Sequence, residues 1–369
     1  MRKVIDGFCI LCFLGVSIGS LIYAKELSQY ALRALKMCAH VFIPSLFPFL
    51  VLARLGLTTG VSKRIGNALS PVLSPLFGLR PELCGELLIG LLGGFPNGAL
   101  AVKEAYRKGL CTKSEAEYLC AIANNASFGF VTATAGVYAL GSAKAGLLLL
   151  TAECVTIVLQ AFLLRLWFPV KKGSLRACTP STGSLNTAIC TSVRGSVDSM
   201  LSICGYVIVF YTLSELCSKG PSENVVLTGI IKGLCELSSG VMACAELAFP
   251  QNYILCAACL GFSGLCVWLQ VSEIALAQGL SLKPFLFTRL CGMVLLPVVT
   301  SLLLLCLPVR TIGVSAPGVV MRSLRFYPVK TVYVVFLIFV IWKLALFTKA
   351  EKTVLSPLDN DKAFRYRRK

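Results

Sequence analysis

Long stretches of this chain are nearly free of charge, and that decides what it can fold into. Ala145–Pro169 reads AGLLLLTAECVTIVLQAFLLRLWFP, Leu290–Pro308 reads LCGMVLLPVVTSLLLLCLP, and Thr331–Trp342 reads TVYVVFLIFVIW. A helix needs about 20 mainly apolar residues to cross the hydrocarbon layer of a bilayer. Only 14% of the residues are charged, against about 25% in a typical soluble domain, so much of the surface is free to face lipid. The expected class is an all-α polytopic membrane protein.

Ten apolar segments can be marked, at roughly 7–23, 38–56, 84–102, 118–140, 144–168, 199–217, 224–248, 253–275, 289–308 and 331–347. Met1-Arg2-Lys3 precedes the first, which resembles a signal peptide but ends without a clear small-residue cleavage site, so it reads as a retained span. Segments 84–102 and 224–248 differ from the rest. They carry GLLGGFPNG (Gly90–Gly98) and GLCELSSG (Gly233–Gly240), and glycine, proline and polar residues at mid-membrane break a helix. Irregular backbone is tolerated at that depth only against protein or a water-filled cavity.

Charge indicates whether the two broken segments cross. If all ten cross, the basic loops 103–117 (Lys103, Arg107, Lys108, Lys113) and 169–198 (Lys171, Lys172, Arg176, Arg194) fall outside, against the excess of Lys and Arg on cytoplasmic loops. If both dip in and return, loops 57–83, 103–117, 169–198 and 276–288 lie in the cytoplasm with both termini, and only basic loop 309–330 stays outside. The expectation is eight transmembrane helices plus two re-entrant helical hairpins. The corresponding division is an N-terminal anchor (1–30), a first repeat (31–140), a linking span and cytoplasmic loop (141–198), a second repeat (199–308), and a last span with a basic tail (309–369). The net charge of +18 then belongs to cytoplasmic loops, and nucleic acid is not an expected partner.

The two broken segments lie in a faint internal repeat. Ile89–Ala105 aligns with Lys232–Leu247, with Gly98 on Gly240, Ala101 on Ala243 and Glu104 on Glu246. Further on, Leu119–Val131 aligns with Leu255–Val267, with Cys120 on Cys256 and Ser127 on Ser263. An odd span separates the copies, which makes the repeat inverted. Inverted repeats with broken helices meeting at the midplane are a transporter signature.

A helix broken in the membrane offers free N–H groups at its half-helix start, suited to an anion. The expected substrate-binding residues are Pro96, Asn97, Gly98, Asn124, Asn125 and Ser127 in the first half, and Ser238, Ser239, Gly240, Ser263 and Gln270 in the second. The same small and polar residues could simply pack helices, and sequence leaves both readings open. Glu236 is an ionisable group at membrane depth, which defaults to function; it is expected either to couple an ion or proton or to pair with Lys232 four residues before it. Glu153 stands alone in its span.

An enzyme is not expected. With His40 as the one histidine, HExxH zinc chemistry cannot be built, and GFSG at Gly261–Gly264 lacks a nearby base. No Walker A motif occurs. The 18 cysteines sit mostly in apolar runs as small hydrophobes. The CxxC pairs Cys9/Cys12 and Cys256/Cys259 share that setting, so neither metal nor cofactor is expected.

GGFPNGA at Gly93–Ala99, NNASFGF at Asn124–Phe130, GLCELSSG, and LGFSGLCVWLQV with LKPFLFTRL (Leu260–Val271, Leu282–Leu290) resemble the YlbJ/SpoVV-type sporulation integral membrane proteins. That group belongs with the nucleoside recognition, or Gate-domain, proteins and is similar to concentrative nucleoside transporters. The resemblance runs from about Leu35 to Leu307. It implies a bacterial cell-membrane protein, in the outer forespore membrane, that moves the dianion dipicolinate during endospore formation. A nucleoside carrier is the alternative it implies, and a non-transporting component of a sporulation assembly stays open. The implied partners are a small anionic solute, the bilayer, a coupling ion or proton, other sporulation membrane proteins and a second copy of the chain.

Overall fold

The computed structural model describes Leu14 and residues 17–19, 21–171, 173, 184–218 and 224–306. The expected last span and tail (309–369), Cys9 and Cys12, and most of the first expected span lie outside these residues. No strand occurs among the described residues.

Helix α1 (Ala24–Met37) passes through a π-type turn at Cys38–Phe42 into α2 (Ile43–Thr59). At Gly60 the chain bends by 87° into α3 (Val61–Phe77). Gly60 sits at φ 73°, a left-handed conformation open to glycine because it lacks a Cβ. A first hairpin follows, α4 (Cys84–Gly93) and α5 (Asn97–Arg107), then α6 (Lys113–Ala123), the π-type α7 (Phe130–Ala139) and α8 (Ala143–Trp167). After α9 (Leu185–Ser218) comes a second hairpin, α10 (Val225–Cys235) and α11 (Leu237–Ala243). It is followed by α12 (Gln251–Phe262), α13 (Gly264–Leu276) and α14 (Lys283–Cys306).

Four stretches are long and apolar enough to cross a membrane: α8, α9, α12 with α13, and α14. The bent pair α2–α3 is a fifth candidate. These match expected spans 144–168, 199–217, 253–275, 289–308 and 38–56. The expected span 118–140 is no continuous helix, because the chain leaves helical geometry between α6 and α7. Helix α9 begins at Leu185, not at the expected 199. Its polar first half is helical because it packs on α2: Arg54 Nη2 donates to Ser199 Oγ at 2.7 Å, and Gly195 leaves room for the same guanidinium.

Local chemistry fixes the helix starts. Thr112 opens α6 with a reciprocal capping box, its Oγ1 accepting from Glu115 N at 3.2 Å while its N–H donates to Glu115 Oε2 at 2.9 Å. Arg80 Nε donates to Glu115 Oε1 at 2.6 Å and Nη2 to Oε2 at 3.0 Å, tying the start of α4 to α6. Burial alone would raise the Glu115 carboxyl. The hydrogen bonds from Arg80 and Thr112 outweigh it and hold the group below its ordinary value.

The core packs α8 on α7 and α14, and α12 on α14. Gly261 of α12 and Gly292 of α14 face each other backbone to backbone, the close approach that small residues permit between apolar helices.

Candidate functional site

The element order helix–break–helix, then helix–break–helix, occurs twice. The first copy is α4, Gly94–Pro96, α5, α6, residues 124–128 and α7. The second is α10, Glu236, α11, α12, Ser263 and α13. Equivalent positions make equivalent contacts. Gly90 and Gly98 both rest on Ala123, while Gly233 and Gly240 both rest on Cys259, and Ala123 and Cys259 are aligned in the sequence repeat. The breaks within each copy also touch. Phe95 N donates to Asn125 O at 3.1 Å, and a Cβ on Gly94 would lie 2.5 Å from Ser127 N. In the second copy a Cβ on Gly264 would lie 2.9 Å from Leu237 N. Gly94, Ser263 and Gly264 all have φ near 70° (67°, 73° and 75°). For Ser263 that geometry is uncommon and strained.

A pocket of about 490 Å³, including its open mouth, lies where the breaks converge. Gly93, Phe95, Ala126 and Ser127 line it from the first copy. Glu236, Leu237 and Ser238 line it from the start of α11, and Cys266 and Gln270 from α13. Phe42, Phe130, Ile203 and Val207 supply apolar wall. The mix of apolar surface with a few convergent polar groups is the kind of lining that small organic ligands use.

Of the expected binding residues, Ser127, Ser238 and Gln270 line this pocket, and Glu236 with them. Pro96, Asn97, Gly98, Asn124, Asn125, Ser239, Gly240 and Ser263 are not among its lining residues. Several satisfy backbone that the breaks set free. Asn97 Nδ2 donates to Gly93 O at 2.9 Å. Asn124 Oδ1 accepts from Ala99 N at 3.0 Å while its Nδ2 donates to Cys120 O at 2.7 Å. Asn125 Nδ2 donates to Ile122 O at 2.7 Å. Ser239 Oγ donates to Glu236 O at 3.0 Å.

The half-helix starts are likewise occupied by the chain itself. Glu236 Oε1 and Oε2 accept from Ser238 N at 2.9 Å and Ser239 N at 2.6 Å at the head of α11. Asn124 serves α5, and Ser127 Oγ accepts from Phe130 N at 3.1 Å at the head of α7. The free donors expected to face an anion are thus already partnered at three starts.

Lys232 does not pair with Glu236. Glu236 has left the surface of α10 in an extended conformation (φ −144°, ψ 128°), so its carboxylate turns forward to its own cap. Lys232 Nζ reaches Glu215 Oε1 on α9 at 2.6 Å instead.

Sequence reasoning missed Arg289 of α14. It is 2% exposed and bridges the two copies: Nη2 donates to Asn125 Oδ1 at 2.8 Å and Nη1 to Ser263 Oγ at 3.2 Å. Its guanidinium lies 5.8 Å from the Phe95 ring and 5.7 Å from that of Phe285, within cation–π range. The signal was an arginine heading an apolar segment, which reads as an interfacial residue. Cys256 and Cys259 are buried, and no group of three or more metal-ligating side chains gathers among the described residues.

Residues 39–144 match the Gate family model, described as nucleoside recognition. The Gate match runs from the π-type turn before α2 to the start of α8 and so takes in the whole first copy. Neither the curated proteins nor the solved structures gave a match.

Proposed function

We propose that the protein is a membrane carrier of a small planar solute, without enzymatic activity, and that the solute is of the nucleoside class. The observation that carries this reading is the pocket. It has three phenylalanine faces and one buried carboxylate, Glu236, already turned toward two N–H groups. Aromatic walls suit a base, and a carboxylate accepts hydrogen bonds from sugar hydroxyls. The description of the Gate family, nucleoside recognition, supports the same class. The contact pattern shared by Gly90, Gly98 and Ala123 with Gly233, Gly240 and Cys259 supports an inverted repeat. With it we adopt eight spans, two re-entrant hairpins and cytoplasmic termini in a bacterial membrane.

A second reading is a dipicolinate carrier in the outer forespore membrane. Its support is the sequence resemblance and a buried cation, Arg289, one ring behind the pocket wall. Glu236 in the lining counts against a dianion, since like charges at close range in a low dielectric repel strongly. Uptake into proteoliposomes separates the two. Labelled uridine or adenosine should enter saturably and resist competition by dipicolinate. Saturable dipicolinate uptake without nucleoside uptake would overturn the nucleoside assignment. Uptake of neither would favour a non-transporting sporulation component.

A further inference from the structure

The interface of α8 and α14 holds polar atoms that the pocket does not use. Glu153 of α8 is 4% exposed. Its Oε1 accepts from Ala126 N at 3.2 Å, and Ala126 lines the pocket. Its Oε2 has no hydrogen-bond partner, and neither does Nε of Arg289 or Oε1 of Gln160, all three buried. Glu153 and Arg289 feel each other electrostatically, yet no ion pair joins them among the described residues. A buried carboxylate with an unpartnered oxygen is normally selected against, because a charge taken out of water needs a partner. Here it is kept in contact with backbone at the first copy's second break.

We propose that Glu153 is a proton-binding site that controls the Arg289 bridge between the two copies. The proton comes from water at one face of the membrane, forms an O–H bond on Oε2, and leaves to water at the other face. While Glu153 is ionised, its charge balances the Arg289 guanidinium, which can then sit buried on two neutral acceptors, Asn125 and Ser263. Once Glu153 is protonated, Arg289 becomes an uncompensated buried cation. That state favours an arrangement in which the guanidinium has left Asn125 or Ser263, and the two breaks are then no longer held to each other. Proton binding and the geometry of the pocket wall are thereby linked, and linkage is reciprocal.

The surroundings are consistent with a single titrating centre. Arg289 is the charged group that α14 brings to Glu153, and Cys154 neighbours it on its own helix. Cys120 of α6 faces Arg289 rather than Glu153. Helices α3 and α7 also pack on α8 and bring no charged side chain to it among the described residues. Glu236 is a poorer candidate, since both its oxygens are engaged in capping α11.

The inference rests in part on the carrier reading, so the test has two arms. In the first, infrared difference spectra of the purified full chain are taken between high and low pH, without solute. Glu86 is a second buried carboxyl with an unpartnered oxygen, so the readout is the component of the protonated-carboxyl band that appears on acidification in wild type, in Glu236→Gln and in Glu86→Gln, and that should be lost in Glu153→Gln. In the second, uridine uptake is measured in proteoliposomes under a one-unit pH gradient. For one proton per neutral solute, that gradient drives roughly tenfold accumulation. Wild type should accumulate uridine, whereas Glu153→Gln should exchange it without accumulating it. A band as strong in Glu153→Gln as in wild type, or gradient-driven accumulation that survives there, overturns the proposal. A band lost in Glu153→Gln with no uridine movement by wild type overturns the carrier reading and upholds the proton site. If Glu153→Gln does not fold, Glu153→Asp keeps a titrating carboxyl, and its band should shift rather than vanish.

Discussion

Replacing Glu236 by glutamine asks whether this carboxylate faces the solute or only caps a helix. In the structure both oxygens accept backbone N–H groups, from Ser238 at 2.9 Å and Ser239 at 2.6 Å. Glutamine keeps the shape and one acceptor oxygen, so one cap bond survives and the other donor meets an amide NH₂. Hydrogen bonds to a charged acceptor contribute about 1.5–3 kcal/mol and neutral ones about 0.5–1.5. The helix cap should therefore weaken by about 2 kcal/mol, within the range measured for N-cap replacements. A solute hydroxyl bonded to the carboxylate loses about 1–1.5 kcal/mol on the same scale, which is roughly tenfold in affinity. The prediction is that Glu236→Gln reaches the membrane at reduced abundance and raises the half-saturation concentration for nucleoside uptake about tenfold per molecule. Glu236→Ala frees two buried N–H groups, each costing about 1–3 kcal/mol, and should be hard to recover folded. Lys232→Met is the control: its partner is Glu215 on α9, so half-saturation should stay within about twofold. A Glu236→Gln protein with wild-type half-saturation would refute the solute-facing role and leave a cap alone.

Asn97→Ala removes the buried bond from Nδ2 to Gly93 O and should lower thermal stability in detergent by about 1 kcal/mol with unchanged half-saturation; a tenfold loss of affinity would show that the amide reaches the solute after all. Ser127→Ala, at the pocket wall, should differ in weakening uptake several-fold, alongside a loss of about 1 kcal/mol from the bond its Oγ accepts from Phe130 N. Glu115 is held below its ordinary value, so its contribution is fully present above about pH 4.3, the unfolded glutamate value, and is lost as pH falls through the folded value. Glu115→Gln should therefore flatten the acid limb of stability against pH, and an unchanged acid limb would show that the Arg80 pair adds nothing.

Legibility followed backbone chemistry. The breaks at Gly94–Pro96 and Glu236 were readable because glycine, proline and a lone acid interrupt apolar runs there, and their contact with the helices aligned after them was readable as a repeat. The breaks at 124–128 and at Ser263 were not. Each lies inside a run whose apolar length passes for one span, and the Ser263 break depends on a positive φ that a serine rarely adopts. For the amides, sequence leaves solute binding and helix packing open, because it shows donors and acceptors without showing which backbone groups they meet. Once the chain is broken, Asn97, Asn124 and Asn125 have carbonyls and N–H groups to satisfy at short range. The Lys232–Glu236 pair assumed an unbroken helix, which the extended backbone of Glu236 removes. Arg289 was hidden by position, at the head of an apolar segment whose first turns are buried by α6 and α12.

The two copies share a contact pattern but are held differently, and this bears on what can move. The first hairpin is bonded to the elements that follow it: Phe95 N to Asn125 O, Ala99 N to Asn124 Oδ1, and through Asn125 to Arg289 of α14. The capping bonds of the second hairpin are local, donated by Ser238 N and Ser239 N to Glu236 two and three residues before them. Its polar ties to a neighbour run to α9, by Lys232 to Glu215 at 2.6 Å and by Ser214 Oγ to Ser239 Oγ at 3.4 Å. Against its own following helices it rests on glycine contacts at Gly233, Gly240 and Gly264. Such contacts are dispersive and directionless, supplemented by the weak thiol hydrogen bond of Cys244, at the end of α11, to Cys259 of α12. The pocket thus has a wall pinned by hydrogen bonds on the side of the Gate match and a wall carried with α9 on the other. Arg289, reaching Asn125 and Ser263 together, spans that seam, and for this reason the charge state of its neighbour Glu153 matters to the pocket as a whole.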